Sequence, residues 1–522
     1  MRITNNIILH NTTGNINGNK VNVNNLNNQM TSKKKIQRPS ENPVIAVRSL
    51  RLRTTLSEID QYYENNIPDA ESWMKVTETA LANMKTILTD IRTQCTYGAS
   101  DQITADDRKT ILTQLEKLRD QVYAEGNADY AGRTVFTGYR TNQKLTFMTD
   151  DNTTSYNITQ GLSYKNLEEH RYYSDEVTLP TTAAEVTGNT ISNPKQATFD
   201  RIRLSYGEID SITDKDGNAL SANGATGTLS YSYTDAAGVT QTDGELKVTV
   251  YDTFEDWAKA SQTADNTYNI TDGEAVFIKE SGELILSSDA SSTIKSGRAS
   301  LDVNYTKTGF NKGEVPEYYY NCTNITDAAK PVEYIKFENG KEIYQDINYV
   351  VAANQTLTVN TQASAVFDAS IGRDVDAMIE AVKFAQDANN KVEELEKMQK
   401  MQEYSSDDCQ AALEDWIAAA KKERDYADDN LQKLYNSYIG NFDDYLQKVN
   451  LANTDLGSKG QSLDLTKNRM ANQQTTMEEL KSTNEDRDLS EIIIDYTSAY
   501  TAYQASLQAA AKINQTTLLN YI

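Results

Sequence analysis

The stretch from Leu489 to Ile522 constrains this chain most. Steps of three and four give Leu489, Ile492, Tyr496, Ala499, Tyr503, Ser506, Ala510, Ile513 and Thr517, the seam spacing of a coiled coil. Beside it runs a second row, Ile493, Tyr500, Leu507 and the pair Leu518–Leu519. Neither Pro nor Gly interrupts the two rows. Such a helix spans on the order of 50 Å at 1.5 Å per residue. It cannot hide so wide an apolar face alone, so the pattern predicts at least one helical partner, in the chain itself or in other copies of it.

Composition narrows what the chain can do. Lys and Arg number 51 against 75 Asp and Glu, a formal net charge of −24 over 522 residues. Phosphate backbones demand a basic face, so nucleic acid is not an expected partner. Cys95, Cys322 and Cys409 are far apart, which fits neither a disulfide framework nor a zinc site. No run approaches the roughly twenty apolar residues of a membrane span. The opening residues, with an apolar run of only Ile7 to Leu9, lack the form of a cleavable secretory leader.

Residues 1–30 are dense in Asn and contain Gly14 and Gly18, all weak helix formers. Ile3, Ile7, Leu26 and Met30 nevertheless keep a thin apolar stripe. The segment is expected to be disordered alone and helical once packed. The run Lys33-Lys34-Lys35 reads as a loop facing acidic neighbours in so acidic a chain. Arg38-Pro-Ser-Glu-Asn-Pro43 predicts a turn, with Ser40 capping the next helix and Pro43 in its first turn. Helical spacing then runs from about Val44 to Thr96, disturbed near Pro68 and ended by Gly98. A further helix follows an N-cap at Thr104, with Asp106 and Asp107 in its first turn, and ends near Gly126–Asn127. Val135 and Phe136 suggest a short strand.

Roughly 145–365 alternates instead. Ile202/Leu204/Tyr206, Leu246/Val248/Val250 and Leu301/Val303/Tyr305 each place one face inward. Asp216-Gly217, Ser281-Gly282 and Asn339-Gly340 read as hairpin turns. Helical spacing resumes at about Asp368 with Val375, Met378, Val382, Ala385, Asn389 and Val392. A second helix starts near Asp407. Gly440 and the stretch Asp455–Gly460 predict its interruption. The predicted fold class is α+β: an elongated rod of long helices from both chain ends, with a terminal coiled coil and an all-β inserted domain. The predicted divisions are 1–40 with 485–522 as coiled-coil core, 41–144 with 366–484 as helical rod, and 145–365 as β-rich outer domain.

No motif with a catalytic mechanism occurs: no GxSxG, HExxH, Walker A, or GxGxxG after a strand. His170 beside Glu168 and Glu169 is an ordinary loop histidine, and Cys95 an ordinary core cysteine. No catalytic, metal or cofactor residue is assigned, and no cofactor is expected.

Both ends resemble the flagellin superfamily, and within it the hook-associated proteins of the hook–filament junction. The residues that carry the resemblance are Met1-Arg-Ile-Thr4, Lys35-Ile-Gln-Arg-Pro-Ser-Glu-Asn-Pro43, Leu118-Arg-Asp-Gln121 and Gly132-Arg-Thr-Val-Phe-Thr-Gly-Tyr-Arg140. At the other end they are Asp455-Leu-Gly457, Leu463 to Arg469, Ser482 to Glu491, Tyr503 to Leu507, and Lys512 to Leu519. The resemblance implies an extracellular structural subunit of the bacterial flagellum, not an enzyme, exported without a cleaved leader. It implies a homo-oligomeric ring, an adjacent hook-associated protein, the flagellin filament and a cytoplasmic export chaperone as partners. The expected assembly seam is Leu489, Ile492, Tyr496, Ala499, Tyr503, Leu507, Ala510, Ile513 and Leu518, with Ile3, Ile7, Leu26 and Met30 packing from the N-terminal side. The alternatives are flagellin itself and, further off, a secreted adhesin or enzyme with its site in the β insertion.

Overall fold

The computed structural model describes residues 5–100, 105–235, 237–263, 266–338 and 340–515. The chain is α+β, with long helices at both ends and a sheet-rich middle. Its long helices are α1 (Asn5–Ser32), α2 (Pro43–Asp60), α3 (Ile67–Gly98), α4 (Ala105–Gly126), α5 (Ser370–Gln399), α6 (Asp407–Glu485) and α7 (Leu489–Gln515). Contacts divide the chain into two units. One holds Met1–Glu71, Asn348–Leu357 and Lys459–Ile522; the other holds Ser72–Ile347 and Thr358–Ser458.

In the first unit, α1 lies antiparallel to α7: Gln29 Oε1 accepts from Arg487 at 2.8 Å, and further along Asn19 Nδ2 donates to Ser506 Oγ at 3.3 Å. The Asn-rich opening is thus helical where it has an apolar partner, and that partner is the other end of the same chain. α2 is capped by Asn42, whose side chain accepts from the amides of Val44 and Ile45, with Pro43 at the first helical position. This corrects the expectation for Ser40. Only the residue directly before Pro43 sits where its side-chain oxygen meets the free amides of the first turn. Ahead of Pro68 the helix widens to a π segment, Gln61–Asn66, and the Ile67 amide donates to Tyr62 O. Proline removes one i→i−4 bond, and a π turn is one way a helix absorbs that loss. The hairpin at Asn348–Ala352 joins this unit through Asn66 Nδ2, which donates to Val350 O at 2.8 Å, and through Gln355 and Thr466.

The second unit is built on a long sheet. Label its main strands β1 (Asp151–Ser163), β2 (Leu167–Ser174), β3 (Lys195–Arg203), β4 (Ala225–Thr234), β5 (Thr240–Tyr251), β6 (Glu274–Ile278), β7 (Glu283–Leu286), β8 (Ser300–Phe310), β9 (Asn321–Asn324) and β10 (Val332–Tyr334). Their order is β10-β9-β1-β8-β4-β5-β6-β7-β3-β2. Neighbours run antiparallel except β5 and β6. That parallel pair needs a crossover, which the short helix Phe254–Ser261 supplies while burying Trp257. The alternating triplets at 202–206, 246–250 and 301–305 all lie inward in one core. Gly217, Gly282 and Gly340 take positive φ in their turns; Asn339 is outside the described residues. The short ladder after α4 pairs Asp129–Tyr130 with Arg133–Thr134, and Val135 and Phe136 follow it fully buried. Thr104 lies outside the described residues.

α6 runs unbroken for 79 residues, which corrects the predicted interruptions at Gly440 and Asp455–Gly460. Glycine costs about 1 kcal/mol each in a helix interior. The buried row Tyr438, Phe442, Tyr445, Val449, Ala452, Leu456 and Leu463 runs straight past these glycines and outweighs them. In α5 the buried row is Val375, Met378, Val382, Ala385, Ala388, Val392 and Leu395. Ala388, rather than the polar Asn389 beside it, takes the inward place.

Candidate assembly interface

The antiparallel pair of α1 and α7 is the candidate site. Ile492 is fully buried, and Tyr496, Ala499, Tyr503, Ser506 and Ala510 are half-buried. They face a matching row on α1, with Leu26 buried and Thr12, Ile16, Asn19, Val23 and Met30 half-buried. Both rows step by three and four, so each helix uses one narrow stripe for the other.

The remaining apolar residues point elsewhere. Leu489 and Leu507 are 41% and 42% exposed. Leu507 follows Ser506 and so projects about 100° around the helix from it. Ile493, Ile494 and Tyr500 are also exposed, and Ile494 is 68% so. Together with Thr497, Thr501, Ala502 and Ala505, the two isoleucines make a shallow apolar strip along α7. On α1, Ile7, Ile8, Leu9 and Val21 are exposed in the same way. Of the predicted positions, Ile492, Tyr496, Ala499, Tyr503 and Ala510 thus face α1 together with Leu26 and Met30; Leu489, Leu507 and Ile7 do not. Ile3 and Leu518, and the side chain of Ile513, lie outside the described residues.

A joint holds this pair at its base. Between α6 and α7 the chain turns through Asp486–Asp488, beside the residues that end α1. Lys35 N donates to Glu485 O at 2.7 Å, and Arg487 N to Lys33 O at 3.0 Å. Lys33 takes a left-handed φ of 58° as α1 stops. Glu485, its side chain 6% exposed, receives Arg53 Nε and Nη2 at 2.7 Å each, Lys34 Nζ at 3.3 Å, and the Ser49 hydroxyl. Hydrogen bonds from Arg53 above all hold its carboxyl down at about 2. Lys34 also reaches Asp486 at 2.5 Å, which lowers the pKa of Asp486 and raises that of Lys34. Of the lysine run, Lys34 faces acids, whereas Lys35 Nζ donates to the Thr483 carbonyl. Asp488 caps α7, accepting from Ser490 N at 2.6 Å and Glu491 N at 3.4 Å. The exposed Arg53 and the node it makes with Glu485 had no sequence signal, because the partners stand 432 residues apart.

The groups singled out for chemistry are absorbed elsewhere. His170 lies on β2 with its ring against Tyr172, and burial holds its pKa well below the usual imidazole value. Burial likewise raises Cys95 to about 12, a protonated core thiol. Among the described residues there is no cluster of His, Cys, Asp or Glu that could hold a metal, and no helix long and apolar enough to cross a membrane.

A family model described as the bacterial flagellin N-terminal helical region matches residues 3–141, and one described as the bacterial flagellin C-terminal helical region matches 439–522. Flagellar hook-associated protein 3 of Salmonella typhimurium strain LT2 is 27% identical over 117 residues, 22% of this chain and 37% of that protein. The chain is similar to the flagellar hook-associated proteins of the hook–filament junction. Hook-associated protein 3 of Escherichia coli K12 is 28% identical over 116 residues, again 22% of this chain and 36% of that protein. The chain thus spans little more than a third of the length of the curated relatives it matches. A putative flagellar hook-associated protein from Vibrio parahaemolyticus aligns over 85% of this chain and all of its own at 13% identity, with a TM-score of 0.34. The flagellar junction protein FlgL of Legionella pneumophila aligns over 85% and 100% at 12% identity, with a TM-score of 0.27. TM-scores this low do not bear on the fold. The two matches cover the helices of the α1–α7 pair and its joint, together with α3, α4 and the C-terminal part of α6.

Proposed function

We propose that the chain is a structural subunit of the bacterial flagellum, an adaptor at the hook–filament junction that links another hook-associated protein to the flagellin filament. The observation that carries this reading is a flagellin-like terminal helix pair that buries one stripe on each helix and leaves a second apolar face open on both. Apolar area buried between subunits contributes about 25 cal/mol per Å², and burying one exposed Ile or Leu side chain about 1.5–3 kcal/mol. Several such side chains per subunit, repeated around a ring, hold an assembly without any covalent step.

In this reading residues 1–40 and 485–522 form the axial core segment, 41–144 and 366–484 the helical body, and 145–365 the outer domain. Ile492, Tyr496, Ala499, Tyr503 and Ala510, with Leu26 and Met30, set the pair. Leu489, Leu507 and Ile7 meet neighbouring subunits, and Ile3, Ile513 and Leu518 extend the seam. Before assembly the chain leaves the cell through the flagellar export route, with a cytoplasmic chaperone on its C-terminal helix. The surplus of acids keeps free copies apart.

Deleting the gene tests the class. Cells with hooks but no filaments, and filament protein shed into the medium, support the junction role. Cells that keep normal filaments overturn it. Filament flagellin is the rival reading, since the matching models describe flagellin ends; a purified chain that polymerises alone into long fibres would favour it.

A further inference from the structure

Two lysines are buried among the described residues, Lys307 and Lys336. Lys307 gives its ammonium to the backbone carbonyl of Gly207. Lys336, 8% exposed, gives its ammonium to a side-chain carboxamide instead. Its Nζ stands 2.8 Å from Oε1 of Gln362, which is itself 8% exposed. On its other side Nζ lies 2.8 Å from Oε1 of Glu342. Asn321 places the lysine, its Oδ1 accepting from the amides of Lys336 and Phe337 at 2.7 Å each. Glu342 lies on the short strand Lys341–Glu342, which pairs with Phe337–Glu338. Its carboxylate also accepts from the Ser364 hydroxyl. Gln362 directly precedes the short helix Ala363–Val366, whose first amide donates to Phe136 O at 3.0 Å.

The amide nitrogen of Gln362 is the anomaly. Nε2 is buried and has no hydrogen-bond partner among the described residues. A buried donor left unsatisfied is a standing cost to the fold, and the cost disappears if that nitrogen leaves. An amine, a carboxamide and a carboxylate within hydrogen-bond reach of the amine are the parts of an acyl transfer. The Nζ–Oε1 contact sets the amine beside the carbonyl carbon that carries Oε1. The fold holds the three groups together continuously, which gives even a slow reaction a high effective concentration. Burial of both side chains keeps water, the competing nucleophile, from the carbonyl carbon.

We propose that Lys336 and Gln362 join in an intramolecular amide cross-link, with Glu342 carrying the protons. Glu342 takes a proton from the Lys336 ammonium. The freed Nζ lone pair attacks Cδ of Gln362, and the carbonyl electrons move onto Oε1. As they return, the Cδ–Nε2 bond breaks, and Nε2 takes the proton from Glu342 and leaves as ammonia. Glu342 then removes a second proton from Nζ and passes it to the ammonia, which departs as ammonium. The carboxylate ends unchanged, and the step needs no oxidant or cofactor. The new bond joins residues 26 apart and so ties both ends of the stretch that holds the hairpin at Asn348–Ala352. None of these residues belongs to the terminal helices, so the cross-link stands or falls apart from the assembly role.

Mass spectrometry of the purified full chain, denatured before measurement, tests this. The native chain is lighter than its sequence by one ammonia. Its tryptic digest yields a branched peptide that holds Lys336 and Gln362, with no cleavage after Lys336. Lys336→Met removes the nucleophile, and Glu342→Gln removes the proton carrier while its fold is checked by circular dichroism. Both variants keep the full mass. The cross-link is overturned if the native chain has the full mass of its sequence, or if ammonia is lost without that branched peptide. A deficit of one water, which would join Lys336 to Glu342 instead, overturns it as well. So does a folded Glu342→Gln chain that loses ammonia as completely as the native one.

Discussion

Arg53 presents Nε and Nη2 to the two carboxylate oxygens of Glu485, each at 2.7 Å, across 432 residues of sequence. This two-pronged pair ties α2 to the last residue of α6, where the terminal helices begin. Paired N–H donors fix direction as well as distance, so Glu485 sets where α7 starts relative to α2.

Removing that carboxylate loosens the joint. Glu485→Ala leaves Arg53, Lys34 and Ser49 without their shared acceptor and costs about 1–3 kcal/mol locally. The check is hydrogen exchange at the Lys35 and Arg487 amides, which cross the joint. Both should exchange faster in the variant, and the β-sheet amides should not change.

The same group predicts a pH dependence. Its folded pKa of about 2 lies below the ordinary 4.5, so the unfolded state binds the proton more tightly. The stabilisation is present above about pH 4.5 and is lost as pH falls toward 2. The two joint amides should lose protection across that window, and Glu485→Gln should lack the transition.

Helical glycines, three in α6 and Gly98 at the end of α3, divide by what surrounds them. A Cβ at Gly440, Gly457 or Gly460 meets nothing within 4 Å, whereas at Gly98 it would lie 2.5 Å from the Tyr435 ring. Each of Gly440→Ala, Gly457→Ala and Gly460→Ala should stabilise by about 0.5–1 kcal/mol. Gly98→Ala should destabilise. Thermal denaturation of the four variants reads the difference.

Arg203 on β3 meets Asp374 on α5 at 2.6 Å, and Asp374 also accepts from Asn441 Nδ2 at 3.0 Å and Tyr445 Oη at 2.9 Å. Asp374 is fully buried. Breaking a buried pair by removing one partner costs about 3–5 kcal/mol. Asp374→Ala should lower the denaturant midpoint of this unit by a corresponding amount, and Asp374→Asn, which keeps an acceptor oxygen, by less.

Period was the readable part of the sequence. Steps of three and four placed Ile492, Tyr496, Tyr503 and Ala510 on one stripe, and alternation placed Leu246, Val248 and Val250 inward. Punctuation was less readable. Gly440 and Asp455–Gly460 looked like breaks because glycine's local cost is visible in sequence, while the burial that outweighs it is a property of packing. Asn42 and Ser40 are both good caps, and only the position of the first turn decides between them. Leu507 and Ser506 differ by one step, so composition favours Leu507 for the seam, while the helix angle turns Ser506 to α1 and Leu507 outward. The partners of Arg53 and Asp374 could not be read at all, since nothing local marks a contact hundreds of residues away.

The outward faces separate folding from assembly. Ile492→Asp puts a charge into the α1–α7 stripe and should unpair the helices in the free chain, seen as lost protection of α1 amides. Ile494→Asp changes a side chain that is 68% exposed. It should leave the free chain within about 0.5 kcal/mol of its stability and still stop its incorporation into flagella.

Labelling at position 494 tests the central claim most directly. The native cysteines are all buried, so Ile494→Cys gives one accessible thiol among the described residues. Its reaction rate with a maleimide is compared in the free chain and in assembled flagella. Coverage by a neighbouring subunit predicts at least a tenfold slower reaction on assembly. An equal rate in both states would mean that this face stays bare and that some other surface joins the subunits.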